Sequence, residues 1–141
     1  MSYDRDNIFA KILRGEIPSV KLYEDAETYV FMDIMPRADG HCLVIPKTPA
    51  RNMLDASDDQ LTACLRTVRR MGHAVMRAFD AGGVTVQQFN EAPGGQEVFH
   101  LHYHVLPRHE GVSLRPPGQM AEMDDLEAKA AKIRAALAEM G

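Results

Sequence analysis

The sequence lacks a hydrophobic run long enough to cross a membrane. Its longest apolar runs, such as 42–45, fall far short of the about 20 residues that a spanning helix needs. The first six residues are polar and no apolar segment follows them, so we expect no secretory signal. An excess of positive charge is also absent, because the net charge is −4. We therefore expect a cytoplasmic protein that uses neither a membrane nor a nucleic acid as its partner.

Cysteine is scarce as well. Cys42 and Cys64 lie among apolar neighbours and form no C-x-x-C pair, so we interpret them as reduced core thiols and exclude a disulfide framework or a zinc clip. Internal repeats and low-complexity tracts are absent too. The 141 residues are 45% hydrophobic and 26% charged, which is typical of one soluble globular domain. We expect that domain to span residues 1–141.

Hydrophobic periodicity predicts three helices and five strands. The helices are predicted at 8–13, 57–79 and from about Leu126, and the strands at 20–25, 28–33, 41–45, 84–90 and 98–106. Asp6 or Asn7 can cap the first helix, Ser57 and Gln60 form a capping box on the second, and Asp124 can cap the third. Short turns between consecutive strands favour an α+β fold in which the helices pack on one face of an antiparallel sheet.

Three histidines occupy alternate positions of the last predicted strand, at His100, His102 and His104. Residues at this spacing share one face of a strand, about 6.5–7 Å apart. The row can be the solvated face of an amphipathic strand, although such faces usually carry Thr, Lys, Glu or Ser. The other interpretations are a metal site, or nucleophilic and acid–base chemistry near neutral pH.

A glycine-rich turn precedes the histidine row. Asn90 ends one predicted strand, and the pair Gly94–Gly95 comes before the next. Glycines let main-chain N–H groups converge on an anion with no side chain in the way. A Gly-Gly pair is also a common hairpin turn, but beside three imidazoles we favour a phosphate cradle.

The segment 95–106, read with its three alternating histidines, resembles the signature of the histidine triad (HIT) family. Segments 6–18, 31–36 and 40–46 also resemble blocks of that family. The resemblance covers about residues 6–108 and leaves 109–141 as a carboxy-terminal extension with an extra helix. Within the family, the chain is most similar to the nucleoside phosphoramidate hydrolases.

The resemblance implies an enzyme that cleaves purine nucleoside 5′-phosphoramidates through a covalent nucleotidyl–histidine intermediate. It also implies a homodimer whose two sheets join into one, a purine nucleotide as the substrate, and no required metal or other cofactor. Hydrolysis of dinucleoside polyphosphates by the same chemistry stays open. So do two readings from other classes, a nucleotide-binding module without turnover and a histidine-based zinc site.

Position by position, the resemblance makes His102 the nucleophile. It makes His104 the residue that contacts the phosphate and helps to protonate the leaving group, and it makes His100 and His41 the residues that orient the others. Asp33 is implied at the ribose hydroxyls, although a strand-end turn former is an equal reading of this residue alone. The remaining nucleotide-binding positions that it implies are Ile34, Phe9, Ile12, Asn90, Gly95, Gln96 and Glu97.

Two features depart from the family pattern. Glu97 stands where Ser or Thr is common, and an ionised carboxylate repels phosphate. We expect its side chain to turn away or to meet an incoming amine. The second departure is the extension 109–141, which can alter the mouth of the pocket or the dimer contacts.

Overall fold

A computed structural model describes residues 2–141 and contains three α-helices, five strands and one 3₁₀ turn. In chain order these are α1 (Ile8–Leu13), β1 (Lys21–Glu24), β2 (Thr28–Met32), β3 (Cys42–Pro46), α2 (Asp58–Phe79), β4 (Gly83–Gln87), the 3₁₀ turn (Ala92–Gly94), β5 (Tyr103–Arg108) and α3 (Met123–Met140). The strands form one sheet in the order β1-β2-β3-β5-β4, and every pair is antiparallel. The expected α+β class is confirmed.

Strand alternation divides the core between the two faces of the sheet. Val30 of β2 and Val44 of β3 point towards α2 and α3 and belong to the larger hydrophobic cluster. Phe31 and Leu43, their neighbours in sequence, point the other way and pack with Phe9 of α1. The two long helices therefore cover one face, and the short helix α1 lies on the opposite face, where the histidines lie.

The helix signals are mostly where the sequence places them. Asn7 caps α1, because its side chain accepts a hydrogen bond from the amide of Ala10. The capping box of Ser57 and Gln60 is present on α2. The third helix starts earlier than predicted, at Met123 with Glu122 as its N-cap and no side-chain cap, so the prediction that Asp124 caps it is wrong.

Several predicted ends shift in the structure. Helix α2 ends at Phe79 as predicted, with Asp80 as its C-cap at a φ of 48°. Strand β4 begins at Gly83 and ends at Gln87, whereas the prediction was 84–90. The most consequential shift concerns β5, which begins at Tyr103 and not at residue 98. Segment 98–102 has no ladder partner, so only His104 of the three histidines lies within the strand.

The carboxy-terminal extension is part of the same fold. Helix α3 packs on α2 and on β1, and it buries Leu126 and Ile133 in the larger core. Upstream of α3, the amides of Arg115 and Ala121 donate hydrogen bonds to the carbonyl oxygens of Arg37 and Ile34 over 2.8 and 2.9 Å. The segment before α3 therefore lies on the loop between β2 and β3.

Among the residues described, no helix has both the length and the apolar character that crossing a lipid bilayer requires.

Candidate active site

His102 lies at the centre of the histidine cluster, immediately before β5. Its ring stands edge-on to Phe9 and to His104, at centroid distances of 4.9 and 5.1 Å. Its Nδ1 atom lies 2.7 Å from the main-chain carbonyl oxygen of His100. Because a carbonyl oxygen only accepts, we assign the proton to Nδ1, which donates it. In the neutral ring the Nε2 lone pair is then free to attack an electrophile.

His41 and His104 form a second pair, whose protons are ordered by one main-chain amide. The N–H of Arg37 donates to Nδ1 of His41 over 3.1 Å, so the proton of the neutral His41 ring lies on Nε2. That Nε2 lies 2.9 Å from Nδ1 of His104 and donates to it. The proton of His104 therefore lies on its Nε2 atom, from which it can donate a hydrogen bond to an anion.

His100 supports the site from behind, because its side chain does not share the open face with the other two. Only 1% of the residue is exposed. Its Nε2–H donates to the carbonyl oxygen of Pro46 over 2.9 Å, and its Nδ1 lies 2.6 Å from the hydroxyl of Tyr3. The expectation of three imidazoles in one row on the open face is therefore wrong for His100, because the chain is not yet in the ladder there.

Burial holds these imidazoles neutral near pH 7. It is the largest cause that lowers the pKa of His41 and of His100 to about 4 and the pKa of His104 to about 3. It also lowers the pKa of His102. The charge of Arg37 lowers the pKa of His41 and of His104 further. A protonated ring has no lone pair, so these shifts keep His102 available as a nucleophile.

Asp33 follows β2 and faces the same histidines. Its Oδ1 accepts a hydrogen bond from the amide of Met35 over 2.8 Å, and its Oδ2 lies 3.4 Å from Nε2 of His41. Burial raises the pKa of this carboxyl group. Because the shorter contact of His41 Nε2 is with His104, Oδ2 keeps free acceptor capacity. A carboxylate in this position can accept hydrogen bonds from the two hydroxyls of a cis-diol.

The apolar residues implied for the base pocket do not all meet. Phe9 packs against His102, as described above, and against Phe31 at a centroid distance of 5.3 Å. Ile12 belongs to the same small hydrophobic cluster, but it lines a separate groove with Tyr29. Ile34 is 44% exposed. The structure therefore joins Phe9 to the histidines and leaves Ile34 open at the surface.

Glu91 begins the glycine loop in a backbone conformation that is rare for a residue with a side chain, with φ 64° and ψ 161°. Its carboxylate accepts two hydrogen bonds from the guanidinium of Arg51, at 2.8 and 2.9 Å, and one from the side-chain amide of Asn52 at 2.6 Å. Such strain persists where the surrounding contacts hold it. These contacts set the shape of the loop beside the histidines.

The polar residues implied for phosphate binding take different parts in this loop. The Oε1 atom of Gln96 accepts from Asn52 and from the amide of Glu91, and its Nε2 atom donates to the carbonyl oxygens of Arg51 and Val98. All four hydrogen-bonding positions of this side chain are therefore used within the protein. Gln96 shapes the loop and offers a ligand no side-chain group.

Asn90, Gly95 and Glu97 lie around the same loop. The Oδ1 atom of Asn90 accepts from the amide of Met53 over 2.9 Å, which ties the segment after β3 to the end of β4. Gly95 has a φ of 99°, and a Cβ atom there would lie 3.2 Å from the ring of Phe89, so a larger residue would strain the backbone and crowd that ring. Glu97 is exposed, which suits either expectation, a side chain that turns away or one that meets an incoming amine.

The HIT domain family model matches residues 14–111 of this chain. The chain belongs to the HIT family. Among curated proteins, it is 34% identical over 140 residues to the adenosine 5′-monophosphoramidase HNT1 of Candida albicans, a match that covers 94% of this chain and 92% of that one.

Two solved structures of the HIT family extend the comparison. A Hit-like protein from Bartonella henselae, described as involved in cell-cycle regulation, is 51% identical with a TM-score of 0.93, and the match covers 96% of this chain and 99% of that one. A zinc-bound histidine triad family protein from Mycobacterium smegmatis is 30% identical with a TM-score of 0.86 and coverages of 96% and 95%. At these coverages the extension 109–141 is shared with other HIT proteins.

The hydrogen bonds of this HIT site bear on whether it could hold a metal ion. Ligand atoms of Asp33, His41 and His104 all lie within 4.8 Å of one another. A metal on Nε2 of His41 would need the lone pair of that atom, but the Arg37 amide occupies Nδ1 and so places the proton on Nε2. A metal would therefore have to displace this proton and break the amide contact. The donor set favours proton-bearing hydrogen bonds.

Sequence reasoning missed the residues that support the HIT histidines. Tyr3 and the amide of Arg37 contact His100 and His41, as described above, and the ring of Phe89 lies edge-on to His104 at 5.7 Å. Only Phe89 carried a signal, since it adjoins Asn90 at the predicted end of a strand. A phenol near the start of the chain and a main-chain amide in a loop follow no recognisable spacing.

Proposed function

We propose that this protein hydrolyses purine nucleoside 5′-phosphoramidates, passing the nucleotide first to His102 and then to water. The observation that carries the proposal is the opposite placement of two protons. Nε2 of His102 is unprotonated, whereas Nε2 of His104 bears a proton, and the two rings are in contact. A nucleophile beside a hydrogen-bond donor suits attack on a charged phosphoryl group. The activity in the name of the Candida albicans relative gives independent support.

In the first step, Nε2 of His102 attacks the α-phosphorus, a P–N bond to the ring forms and the P–N bond to the leaving amine breaks. The amine leaves with a proton taken from solvent, so this scheme does not use the proton transfer from His104 to the leaving group that the resemblance implies. The Nδ1–H of His102 stays on the carbonyl oxygen of His100, which stabilises the positive charge that develops on the ring. Water then attacks phosphorus and releases one proton to solvent, the bond to Nε2 breaks, and the nucleoside monophosphate leaves.

The other polar groups take part without bond changes. The Nε2–H of His104 donates to a phosphoryl oxygen as its negative charge rises. The carboxylate of Asp33 accepts hydrogen bonds from the ribose hydroxyls. This scheme needs no metal or other cofactor, and we include that absence in the proposal because the donor set at His41 favours a proton.

We propose further that the protein acts as a homodimer joined at β4. This strand pairs with β5 on one side and is the last in the sheet, so its outer edge has no partner within the described chain. Val86 of β4 is 47% exposed. An unpaired edge that carries an exposed apolar side chain suits pairing with a second copy.

Hydrolysis of dinucleoside polyphosphates is the second candidate. A guanidinium at the end of β5 could bind a longer phosphate chain, but that of Arg108 donates to Thr85 Oγ1 over 3.1 Å and to the carbonyl oxygen of Val112 over 3.3 Å. Arg108 therefore braces the end of β5, and we favour the phosphoramidates.

The test is a substrate panel with wild-type protein and His102→Ala. We expect wild-type protein to cleave adenosine 5′-phosphoramidates faster than dinucleoside polyphosphates, in the presence of a chelator, and to show an adenylylated His102 by mass spectrometry. The variant should lose turnover while its affinity for adenosine monophosphate stays within about tenfold, since only the bond-forming atom is removed.

His73→Ala is the matched control, because it removes an exposed histidine from α2. Wild-type turnover by His102→Ala would refute the mechanism. Binding of adenosine monophosphate without turnover in the wild type would favour the non-catalytic module, and loss of wild-type turnover on chelation would favour the metal site.

A further inference from the structure

Tyr3 lies outside the HIT match, yet it makes one of the shortest contacts to a histidine of the site. Its hydroxyl lies 2.6 Å from Nδ1 of His100, and the two rings meet edge-on at a centroid distance of 5.6 Å. The Nε2–H of His100 donates to the carbonyl oxygen of Pro46, so Nδ1 of the neutral ring is bare. The phenol must therefore be the donor in this contact.

Neighbouring segments of the same polypeptide hold this phenol in place. A guanidinium N–H of Arg51 donates to the carbonyl oxygen of Ser2 over 3.2 Å, and the guanidinium carbon of Arg51 lies 4.3 Å from the centroid of the Phe99 ring. On the other side of Tyr3, the amide and side chain of Asn7 both donate to the carbonyl oxygen of Asp4. The segment before α1 is therefore ordered against the chain that precedes β5.

The contact between Tyr3 and His100 is connected to His102 through one peptide unit, the one between His100 and Leu101. The carbonyl oxygen of His100 accepts the Nδ1–H of His102, and the N–H of the same peptide unit, at Leu101, donates to the carbonyl oxygen of Ala50 over 2.8 Å. The hydrogen bond that Nε2 of His100 donates and the one that its Nδ1 accepts anchor the Cα atom at one end of this peptide. Tyr3 supplies one of those two anchors.

We propose that Tyr3 is a positioning residue for the reaction, in which its hydroxyl locks the ring of His100 and thereby aims the carbonyl group that fixes the proton of His102. The inference rests on the proposed function for its kinetic part. Without the hydroxyl, Nδ1 of His100 is a buried acceptor with no donor, and the ring gains a second orientation in which the bond to Pro46 is lost. The carbonyl group of His100 then loses its fixed direction, and His102 loses its single tautomer.

The experiment compares Tyr3→Phe with Tyr29→Phe. Tyr29 offers a matched control, because its hydroxyl lies 2.8 Å from Ser19 Oγ and contacts no histidine. Turnover of an adenosine 5′-phosphoramidate is measured together with the ring nitrogen NMR shifts of His100 and His102, which report which nitrogen bears the proton. We expect Tyr3→Phe to lower kcat about fivefold to tenfold, the effect of one lost hydrogen bond. KM should change less than about twofold, since Tyr3 touches no substrate in this scheme.

The ring shifts of both histidines should move in Tyr3→Phe and stay at their wild-type values in Tyr29→Phe. Unchanged kcat and unchanged ring shifts in Tyr3→Phe would overturn the proposal. A fall in kcat that accompanies lost thermal stability, with the His102 shifts unmoved, would also overturn it, because Tyr3 would then be only structural. If wild-type protein does not cleave the phosphoramidate, the proposed function fails, while the NMR comparison still decides whether Tyr3 sets the proton of His102.

Discussion

Acid should destabilise this protein well above the pH at which its carboxylates titrate. His41 and His100 have a pKa of about 4 in the folded protein because they are buried, whereas an unfolded histidine has a pKa of about 6.5. Between these values the unfolded chain binds more protons than the folded chain. The free energy of unfolding is therefore highest above about pH 6.5 and falls as the pH drops towards 4.

The size of the effect follows from the width of that window. A difference of one pKa unit corresponds to about 1.4 kcal/mol, so each of these two histidines removes about 3 kcal/mol between about pH 6.5 and 4. The lowered pKa values of His102 and His104 act in the same direction. The raised pKa of Asp33 acts in the opposite direction, at the acidic end of the window. Since the whole stability of a domain is about 5–15 kcal/mol, we expect unfolding between about pH 5 and pH 4.

Urea unfolding at several pH values between about 7 and 5 measures this slope. His100→Gln should reduce the slope by about 1.4 kcal/mol per pH unit, and His73→Gln, which removes an exposed histidine, is measured beside it. A free energy of unfolding that stays level across this range would show that the histidines are not held neutral by burial, and the assignment of their protons would fall with it.

Two further predictions concern the sugar site and the dimer. Asp33→Ala should weaken binding of ribonucleotides about tenfold, as two lost hydrogen bonds of modest strength imply, and should leave 2′,3′-dideoxy analogues almost unchanged; equal losses in a calorimetric titration would remove Asp33 from the ribose. Val86→Lys should convert a dimer into a monomer in light scattering, because a lysine on an edge strand opposes pairing. Val112→Lys, at a position 58% exposed in the extension, should stay dimeric, and a Val86→Lys dimer would argue against a joint at β4.

The histidine spacing predicted most of the site but not the role of every member. Alternation placed His102 and His104 side by side, and this follows from strand geometry whenever both residues are extended. His100 has the same spacing, yet its ring is buried against Tyr3 and Pro46. Strand periodicity weakens upstream of the ladder, which begins at Tyr103, so His102, one residue before it, keeps the alternation and His100, three residues before it, does not.

The loop beside the histidines shows the same limit. Its glycines were visible in the sequence, and Gly95 does adopt a positive φ. The contacts that hold the loop come from Arg51 and Asn52, about 40 residues earlier in the chain. No local pattern reports such a pairing, and it also turned Gln96 from an expected ligand into an internal brace.

The sequence by itself determined the α+β class, the capping of the first two helices, and a cluster of imidazoles beside a glycine turn, because periodicity, caps and turns depend on near neighbours. Only the tertiary structure decided which nitrogen of each imidazole bears a proton. Those protons follow from the carbonyl oxygens of His100 and Pro46 and from the main-chain amide of Arg37, which the fold brings to His102, His100 and His41. A hydrogen bond acts through distance in space, and distance along the chain does not report it.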